Sequence, residues 1–541
     1  MIIDIAVTAL LFFTFIAFAG KRGLTYMHIY QQEEYDSPRF LKWIIANRVF
    51  DKRLSLLVIA CSVLAMFIPA LYVNAALFVV FAVVTYSEKD PRKDSKKKLA
   101  FTARTKRIFF PATLITALGA VWCFFIGASP LIWIINIQLI PLMIVIVNSA
   151  LQPLEQATQN KFWQEAHNKV MDYQPKTIAI TGSFGKTSVK HILGHILKMH
   201  APTLITPGSV NTPMGITRII REQLEPEHKF FVVEMGAYGP GSIAGLCKLT
   251  PPDIGIITAI GHAHYERFKT LETVAEAKYE LAQSALRKED GLVIAHERTL
   301  RFEHAQKMRE EFAEQFIVCG EKEAELAGQP SFLKDGDLEV TKIDQLPNGL
   351  SVKFSWKDED HKITAPLYGL HHGHNLVLAF VTALHLGIDA KDIQTALKTM
   401  PQIQHRLEVK PQENGTVIID DAYNSNPIGF RSALELLAIL GKKGRKILIT
   451  PGMVEMGNAH AEAHDKIGRF AGQVCDVVVV VQGQRIPSFV DGYRAAGSNK
   501  IVVEVRSFAE AQSWMSNNHQ KGDVILVEND LPDLYERVPK L

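Results

Sequence analysis

The segment Thr181-Gly182-Ser183-Phe184-Gly185-Lys186-Thr187-Ser188 brings together, within eight residues, what a phosphate-binding turn requires. Glycines let backbone N–H groups close on phosphate oxygens, and a helix that follows adds the positive end of its dipole. In that arrangement Lys186 reaches the β/γ-phosphates and the Thr187 hydroxyl holds Mg2+. The general pattern GxxxxGK[ST] has a glycine where this chain has Ile180. Spacing alone therefore leaves a glycine-rich turn as the alternative, and the strand–loop–helix setting favours nucleotide binding. Other polar residues are ambiguous taken singly. Glu234 closes an apolar run, where a carboxylate can bind Mg2+ beside phosphates but by itself reads as a capping or surface acid. Lys278 reads as a solvated helix lysine, and His371 and His372 as a polar helix entry. His460 and His464, four apart, read as a solvated helix face, since a zinc site needs further ligands.

These residues need a scaffold, and alternation of patterns supplies it. Lys176–Thr181, Phe230–Glu234, Ile254–Thr258 and Gly291–Ala295 are short apolar runs, with helical stretches such as Lys186–Met199 and Thr273–Leu286 between them. Such alternation predicts a parallel sheet flanked by helices. Residues 337–366 pattern as short antiparallel strands around Pro347-Asn348-Gly349. After the helix Ala390–Thr399 a break falls at Met400–Gln404. A second series then begins: Thr416–Asp420, Lys446–Thr450, Val477–Val481, Ile501–Val505 and Val524–Val527. Asn426-Pro427 supplies an N-cap and a proline at the first helical position. The reading is two α/β domains, 151–400 and 401–541, behind an α-helical segment 1–150 of different character.

Composition sets that first segment apart. The whole chain of 541 residues has a formal net charge of +3 and a mean hydropathy of +0.07. These averages exclude a disordered, collagen-like or disulfide-rich secreted chain and give no global nucleic-acid signal. Residues 1–150, however, hold 16 Lys and Arg against 8 Asp and Glu, while the remainder holds 43 against 48. Ile5–Gly20, Leu54–Tyr86 and Ile108–Ala150 carry no charge. About 20 apolar residues cross a bilayer as a helix, so these runs predict one, two and two spans, with turns at Pro69–Asn74 and Gly127–Pro130. Seven Lys/Arg in residues 21–53 and nine in 87–107 place both connections in the cytoplasm. The result is a multi-pass module of five helices in the cytoplasmic membrane, with the N-terminus outside and everything after 150 in the cytoplasm. The Lys21-Arg22 pair follows the first apolar run, which opposes a cleaved signal peptide. Arg39–Phe50 patterns as an interfacial amphipathic helix. Five scattered cysteines without a CxxC pair fit a reducing compartment.

Over roughly residues 175–541 the motifs resemble, in order, those of the Mur ligase family, ATP-dependent amide ligases of cell-wall synthesis. The resemblance is closest to the branch that adds D-alanyl-D-alanine to a muramoyl tripeptide. Residues 181–187 follow its Thr-Gly-[Thr/Ser]-x-Gly-Lys-[Thr/Ser] form, and Phe231–Ala237 its strand-end glutamate motif. Ile260–Glu266 is similar to I-G-x-A-H-L-E, with Tyr265 for Leu, and Gly373-His374-Asn375 to G-x-H-N-x-x-N, with Leu378 for the second Asn. Arg406-Leu407-Glu408 matches G-R-x-E with His405 for Gly, and Asp420–Pro427 is the most specific match after the phosphate loop. Thr450–Gly457 resembles G-D-M-x-E-L-G without its aspartate.

The resemblance implies a P-loop ATPase-like central domain and a Rossmann-like C-terminal domain that bind ATP and two Mg2+ ions. Gly182, Ser183, Phe184, Gly185, Lys186, Thr187 and Ser188 then surround the phosphates, Asn375 reads adenine and Asp421 binds ribose. One Mg2+ falls to Thr187 and Glu234, the other to His264 and Lys278, with Lys278 carbamylated by addition of CO2 to its neutral amine. Lys186, His264, Lys278 and Arg406, the last on the γ-phosphate, form the catalytic set, and His262 is a bystander. Because Arg406 and Asp421 lie beyond residue 400, the site is complete only when the two domains close. The implied partners are a muramoyl-peptide precursor, D-Ala-D-Ala and membrane lipid, with no nucleic acid.

The helical segment stands where the family has a domain for the UDP-sugar. The acceptor is accordingly either UDP-linked and held by residues such as Asn211, or lipid-linked. Poly-γ-glutamate or folylpolyglutamate ligation shares the chemistry, and the Asp-Asp-x-Tyr-Asn pattern argues against it. An ATP-binding membrane transporter or regulator is the alternative of another class. The scarcity of ionisable residues in the apolar runs opposes an ion path.

Overall fold

The computed structural model describes residues 2–95, 97–125, 130–261, 268–321, 331–423, 425–442, 444–454, 456–497 and 499–530. These form two compact units that divide between Gln159 and Asn160.

The first unit is helical: α1 (Ile2–Gln32), α2 (Ser37–Ala46), α3 (Lys52–Leu64), α4 (Ala70–Ser87), α5 (Ala103–Phe125), α6 (Pro130–Gln138) and α7 (Ile140–Tyr173). The Asp36 side chain caps α2 by accepting from Arg39 N. Between α6 and α7 the bonds Leu139 N to Ile135 O and Met143 N to Leu139 O continue the helical ladder, which loses one donor at Pro141. Phe15 and Phe81 meet edge to face at 5.3 Å where α1 packs on α4. Large apolar side chains also line the outer surface of the helices. Phe13, Leu56, Met66, Phe67, Leu118 and Trp122 are all exposed, a pattern that soluble bundles avoid.

Among the described residues, α1 and α4 are long and apolar enough to cross a membrane. The pair of spans expected within Leu54–Tyr86 differs from the structure in two ways. The turn lies at Ala65–Pro69, so Asn74 sits inside α4 rather than marking the turn. The 13 residues of α3 rise about 20 Å at 1.5 Å each, short of the ~30 Å hydrocarbon core.

The second half of α1 runs past its apolar part and gathers both basic connections. Arg22 pairs with Asp51 at 3.0 Å and lies 3.6 Å from Glu88. Lys21 Nζ and Thr25 Oγ1 also bind Glu88, and His28 Nε2 bonds Lys97 O at 2.7 Å. Both Lys/Arg-rich connections are thereby fastened to the same end of one helix.

In the second unit, nine strands form a sheet in the order β2-β3-β1-β4-β5-β6-β7-β8-β9. They are β1 (Lys176–Thr181), β2 (Thr203–Ile205), β3 (Phe230–Glu234), β4 (Ile254–Ile257), β5 (Leu292–His296), β6 (Phe316–Gly320), β7 (Leu338–Leu346), β8 (Gly349–Trp356) and β9 (Glu359–Ala365). Strands β1 to β7 are parallel, and β8 and β9 extend the same sheet from its β7 edge through antiparallel pairings. Alternate residues of β1 and β3 face opposite cores. Ile178, Ile180 and Val232 pack under the helices Lys186–Lys198 and His371–His385. Ala179, Phe231 and Val233 pack under Ser242–Leu249 and Leu271–Ala285. Burial on both sides explains why these strands read as unbroken apolar runs.

A second sheet has the order β10-β11-β15-β12-β13-β14. Its strands are β10 (Glu408–Pro411), β11 (Val417–Asp421), β12 (Lys446–Thr450), β13 (Val477–Val481), β14 (Ile501–Val505) and β15 (Val524–Glu528). All are parallel except β10, whose Pro411 is tolerated at an antiparallel edge. The last strand enters the middle of the sheet, between β11 and β12. Asn426 caps the helix Pro427–Leu440 by accepting from Ile428 N and Gly429 N.

The Arg22–Asp51 pair yields a stability prediction. Asp51→Ala leaves a buried guanidinium without its closest carboxylate, which costs about 3 kcal/mol. Thermal unfolding of the detergent-solubilised chain should show this loss, and Arg39→Ala, at an exposed pair, should show almost none.

Candidate active site

The turn between β1 and the helix Lys186–Lys198 is clasped on two sides. Gly182 and Gly185 take φ of 151° and 85°. A Cβ on Gly182 would lie 2.0 Å from Thr258 Oγ1, and one on Gly185 2.6 Å from Asn375 Oδ1. The end of β4 and the start of the helix His371–His385 therefore press against the loop, and both positions demand glycine. Ser183 N donates to Ala259 O at 2.6 Å, and the Thr258 hydroxyl donates to Phe184 O.

Several lysine side chains converge on this loop. Lys186 Nζ donates to Gly182 O at 2.7 Å and Ser183 O at 3.2 Å. Lys278 Nζ donates to the same Gly182 carbonyl at 2.9 Å. Lys190, one helical turn beyond Lys186, donates to Glu234 Oε2 at 2.9 Å and to Gly208 O at 2.5 Å. Glu234 lies at the carboxyl end of β3. Its Oε2 also accepts from Thr187 Oγ1 at 2.9 Å, and its Oε1 accepts from Asn211 Nδ2 at 3.1 Å.

The electrostatics follow from this burial. Removal from water pushes Lys186, Lys190 and Lys278 below the usual ammonium range. For Lys278 the fall is large, and the charge of Lys186 adds to it. Burial opposes ionisation of Glu234 as well, but Lys190 and Lys186 outweigh it and hold the carboxyl below its ordinary value. Arg406 is close enough to act on Lys186 and Lys190, and its guanidinium lies 4.4 Å from the centre of the Tyr423 ring. Leu407 N donates to Asp421 Oδ1 at 3.2 Å, which links the Arg406 turn to the end of β11. Burial raises Asp421 to about 6, against the pull of Arg406.

The structure thus brings Lys186, Thr187, Glu234, Lys278, Asn375 and Arg406 to one end of the first sheet, with Asp421 beside Arg406. His262 and His264 lie outside the described residues, as do Asn424 and Glu455. Three surface readings are overturned by burial. Lys278 is 4% exposed rather than solvated, because the helix Leu271–Ala285 is covered on more than one side. Glu234 caps no helix and is 1% exposed. His464 is fully buried: its Nδ1 donates to His460 O, and its Nε2 accepts from Met453 N at 2.9 Å. It braces the turn after β12, and burial lowers it to about 4. Asn211 is occupied in orienting Glu234. Lys190 escaped the sequence reading, although its place four residues after Lys186 puts it on the same helix face. Among the described residues, His405, Glu408 and Asp420 are close enough to share a metal ion. The Lys410 ammonium, however, already lies 2.6 Å from Asp420 and 3.0 Å from Glu408.

A phosphate loop with this carboxylate and lysine set, shared between two α/β sheets, defines a class of nucleotide-dependent ligases. Residues 180–383 match the Mur ligase middle domain and residues 405–528 the Mur ligase glutamate ligase domain, and the chain belongs to the Mur ligase family.

Within that family it is similar to UDP-N-acetylmuramoyl-tripeptide–D-alanyl-D-alanine ligases. It is 28% identical to the Mycobacterium leprae protein of that name over 373 residues, 65% of this chain and 70% of the relative. To the Bacillus subtilis protein it is 26% identical over 384 residues, 71% and 77% of the two chains. The crystal structure of MurF from Acinetobacter baumannii shares 27% identity at a TM-score of 0.58, covering 70% of this chain and 78% of that one.

Gly185→Ala should weaken nucleotide binding at least tenfold, a difference of ~1.4 kcal/mol, as measured by calorimetry with ADP. Gly387 also has positive φ, but open space surrounds it. Gly387→Ala should cost about 1–2 kcal/mol of stability and leave ADP affinity unchanged.

Proposed function

We propose that the chain is an ATP-dependent ligase that joins D-alanyl-D-alanine to the carboxylate of a muramoyl tripeptide. The observation that carries this reading is the charge imbalance at the phosphate loop. Lys186, Lys190 and Arg406 act on one another across the loop, and the described carboxylates facing them are Glu234, held by the two lysines, and Asp421, beside Arg406. A polyphosphate supplies the missing negative charge.

The acceptor carboxylate attacks the γ-phosphorus of ATP, the bond to ADP breaks, and an acyl phosphate forms. The amine of D-Ala-D-Ala then attacks the acyl carbon, phosphate leaves, and the amide remains. Lys186 is placed to exchange its loop carbonyls for phosphate oxygens, and Arg406 approaches the same region from the start of the second sheet. The loop, with Gly182, Ser183, Phe184, Gly185 and Ser188, wraps the phosphates, Asn375 reads adenine, and Asp421 receives the ribose hydroxyls.

The described residues fit one magnesium ion, and the sequence motif supplies ligands for a second. The Thr187 hydroxyl and the ionised Glu234 carboxylate already meet, and they would hold one ion. Lys278 and His264 would hold the other. Lys278 has a dry environment that favours the neutral amine, the form that takes up CO2 as a carbamate. Bound Mg2+ offsets charge on the phosphates. Lys190 and Asn211 fix the Glu234 carboxylate from both sides.

The first unit supports a location in the cytoplasmic membrane. Its apolar exterior suits lipid, and the shared anchoring of both basic connections suits one cytoplasmic face. Five passes accommodate α1, α3, α4, α5 and the α6–α7 segment, with Lys52 and Arg53 extending towards the headgroups from the short α3. The same apolar exterior favours a second reading, in which the acceptor is lipid-linked rather than UDP-linked.

The purified protein with ATP and Mg2+ should release phosphate only when a tripeptide acceptor and D-Ala-D-Ala are both present. The comparison of UDP-linked with lipid-linked acceptor decides between the two readings. Phosphate release indifferent to every peptide substrate would overturn both. Lys278→Ala should lower the rate by at least about a hundredfold, a barrier increase of ~2.7 kcal/mol, with partial restoration by short carboxylic acids. Full activity in that variant would remove the carbamate from the mechanism.

A further inference from the structure

The neighbouring strands β11 and β15 end in two acids, and their register sets Asp421 directly beside Glu528. Asp421 is 7% exposed and Glu528 is 0% exposed. The Ser425 hydroxyl donates to Glu528 Oε1 at 2.6 Å, and Leu407 N donates to Asp421 Oδ1 from the far side. Glu528 Oε2 meets no donor although it is buried, and the carboxyl within its reach is that of Asp421. Two carboxylates so placed cannot both be ionised, and an orphaned oxygen facing another acceptor is satisfied by a proton.

We propose that Glu528 is a positioning residue for the nucleotide: it keeps a proton at neutral pH, donates it to Asp421, and so holds Asp421 as an ionised, correctly turned acceptor for the ribose hydroxyls. This rests on Asp421 as the ribose contact. Burial raises Glu528 well above the usual carboxylate range, with the charge of Asp421 adding to the effect. Burial raises Asp421 to about 6. The other charges facing the pair are Arg406, from the turn before β10, and Asp420 on β11. Asp420 is itself tied to Lys410 at 2.6 Å and to His405 at 3.0 Å. From the β12 side, residues 450–454 carry no titratable group, and Asn529 Nδ2 donates to Gly452 O at 2.7 Å.

Nucleotide affinity then has two limbs. Below about pH 6 Asp421 takes up a proton and stops accepting. As pH rises through the value of folded Glu528, the donated proton is lost and like charges force the pair apart. The stability contribution has the same alkaline sign. Because Glu528 is raised in the folded state, its contribution is complete below the unfolded carboxyl value and is lost as pH rises through the folded one.

The test measures ADP affinity and the ligand-free thermal midpoint of the full-length protein from pH 5.5 to 9.5 at fixed Mg2+. Wild type should lose affinity on the alkaline side at about tenfold per pH unit, the slope of one linked proton, and its ligand-free midpoint should fall with rising pH below that limb and level off where the limb begins. Glu528→Gln, whose amide still donates to Asp421 and accepts from Ser425, should rescue binding and abolish both losses. Glu528→Leu should bind weakly throughout. If the Glu528 variants do not fold, Ser425→Ala removes a group that stabilises the ionised acid and should move the alkaline limb to higher pH. An alkaline limb retained in Glu528→Gln, or unmoved in Ser425→Ala, overturns the proposal. Unchanged ADP affinity in Asp421→Asn overturns instead the ribose reading beneath it, and the ligand-free midpoint still tests the pair.

Discussion

Amines taken out of water need partners, and the second unit gathers its buried lysines around one carbonyl oxygen and one carboxylate. Gly182 O accepts from both Lys186 and Lys278, while Glu234 is engaged by Lys190, Thr187 and Asn211. The loop must bend so that its carbonyl faces inward, and this accounts for the glycines. The carboxyl end of β3 must carry an acid, because an apolar residue there would leave Lys190 unmatched in the interior. Much of the local sequence follows from the need to hold these lysines close together in the interior. A site that waits in this state is preorganised, and its donors need little rearrangement when charge develops on a phosphoryl group.

The helical unit obeys the opposite constraint. Large apolar side chains line its exterior, and at one end Arg22, Asp51 and Glu88 turn inward and pair with one another. In water this distribution would expose hydrocarbon on every side. In lipid it is the stable choice, because the ion pairs lie at the polar end and the helices bond their own backbone.

How legible this was from the residues alone depended on range. Glycine spacing revealed the phosphate loop, because Gly182 and Gly185 answer to local backbone geometry. The apolar runs located β1, β3, β4 and β11 to β15 to within a residue or two, since most of these strands are buried on both faces and need no alternation, and the edge strand β14 is β-branched throughout except for Glu504. Strand β2 has three residues, and β10, with Glu408, Lys410 and Pro411, is an edge that faces solvent, so neither left a pattern. The burial of Lys278 was hidden by its neighbours Glu276 and Glu280, which suggest a wet helix face. His464 binds a turn eleven residues upstream, and Glu528 meets Asp421 only because of the strand order. Packing between distant segments decides such roles, and composition does not record it.

That strand order has a bearing on how the protein comes to be. Because β15 fills the gap between β11 and β12, the second sheet cannot close during synthesis until residue 528 has left the ribosome. Until then Asp421 has no neighbouring strand on that side, and the turn carrying Arg406 is anchored only through β10 and β11. The first sheet, complete by residue 365, can form much earlier, and its phosphate loop with it. A chain that stops short of β15 therefore keeps the glycine loop of the first sheet but lacks the strand that supports Asp421 and, through Leu407, the turn carrying Arg406. The surroundings of Asp421 are thus finished by β15, the last of the described strands, however early the rest of that sheet is made.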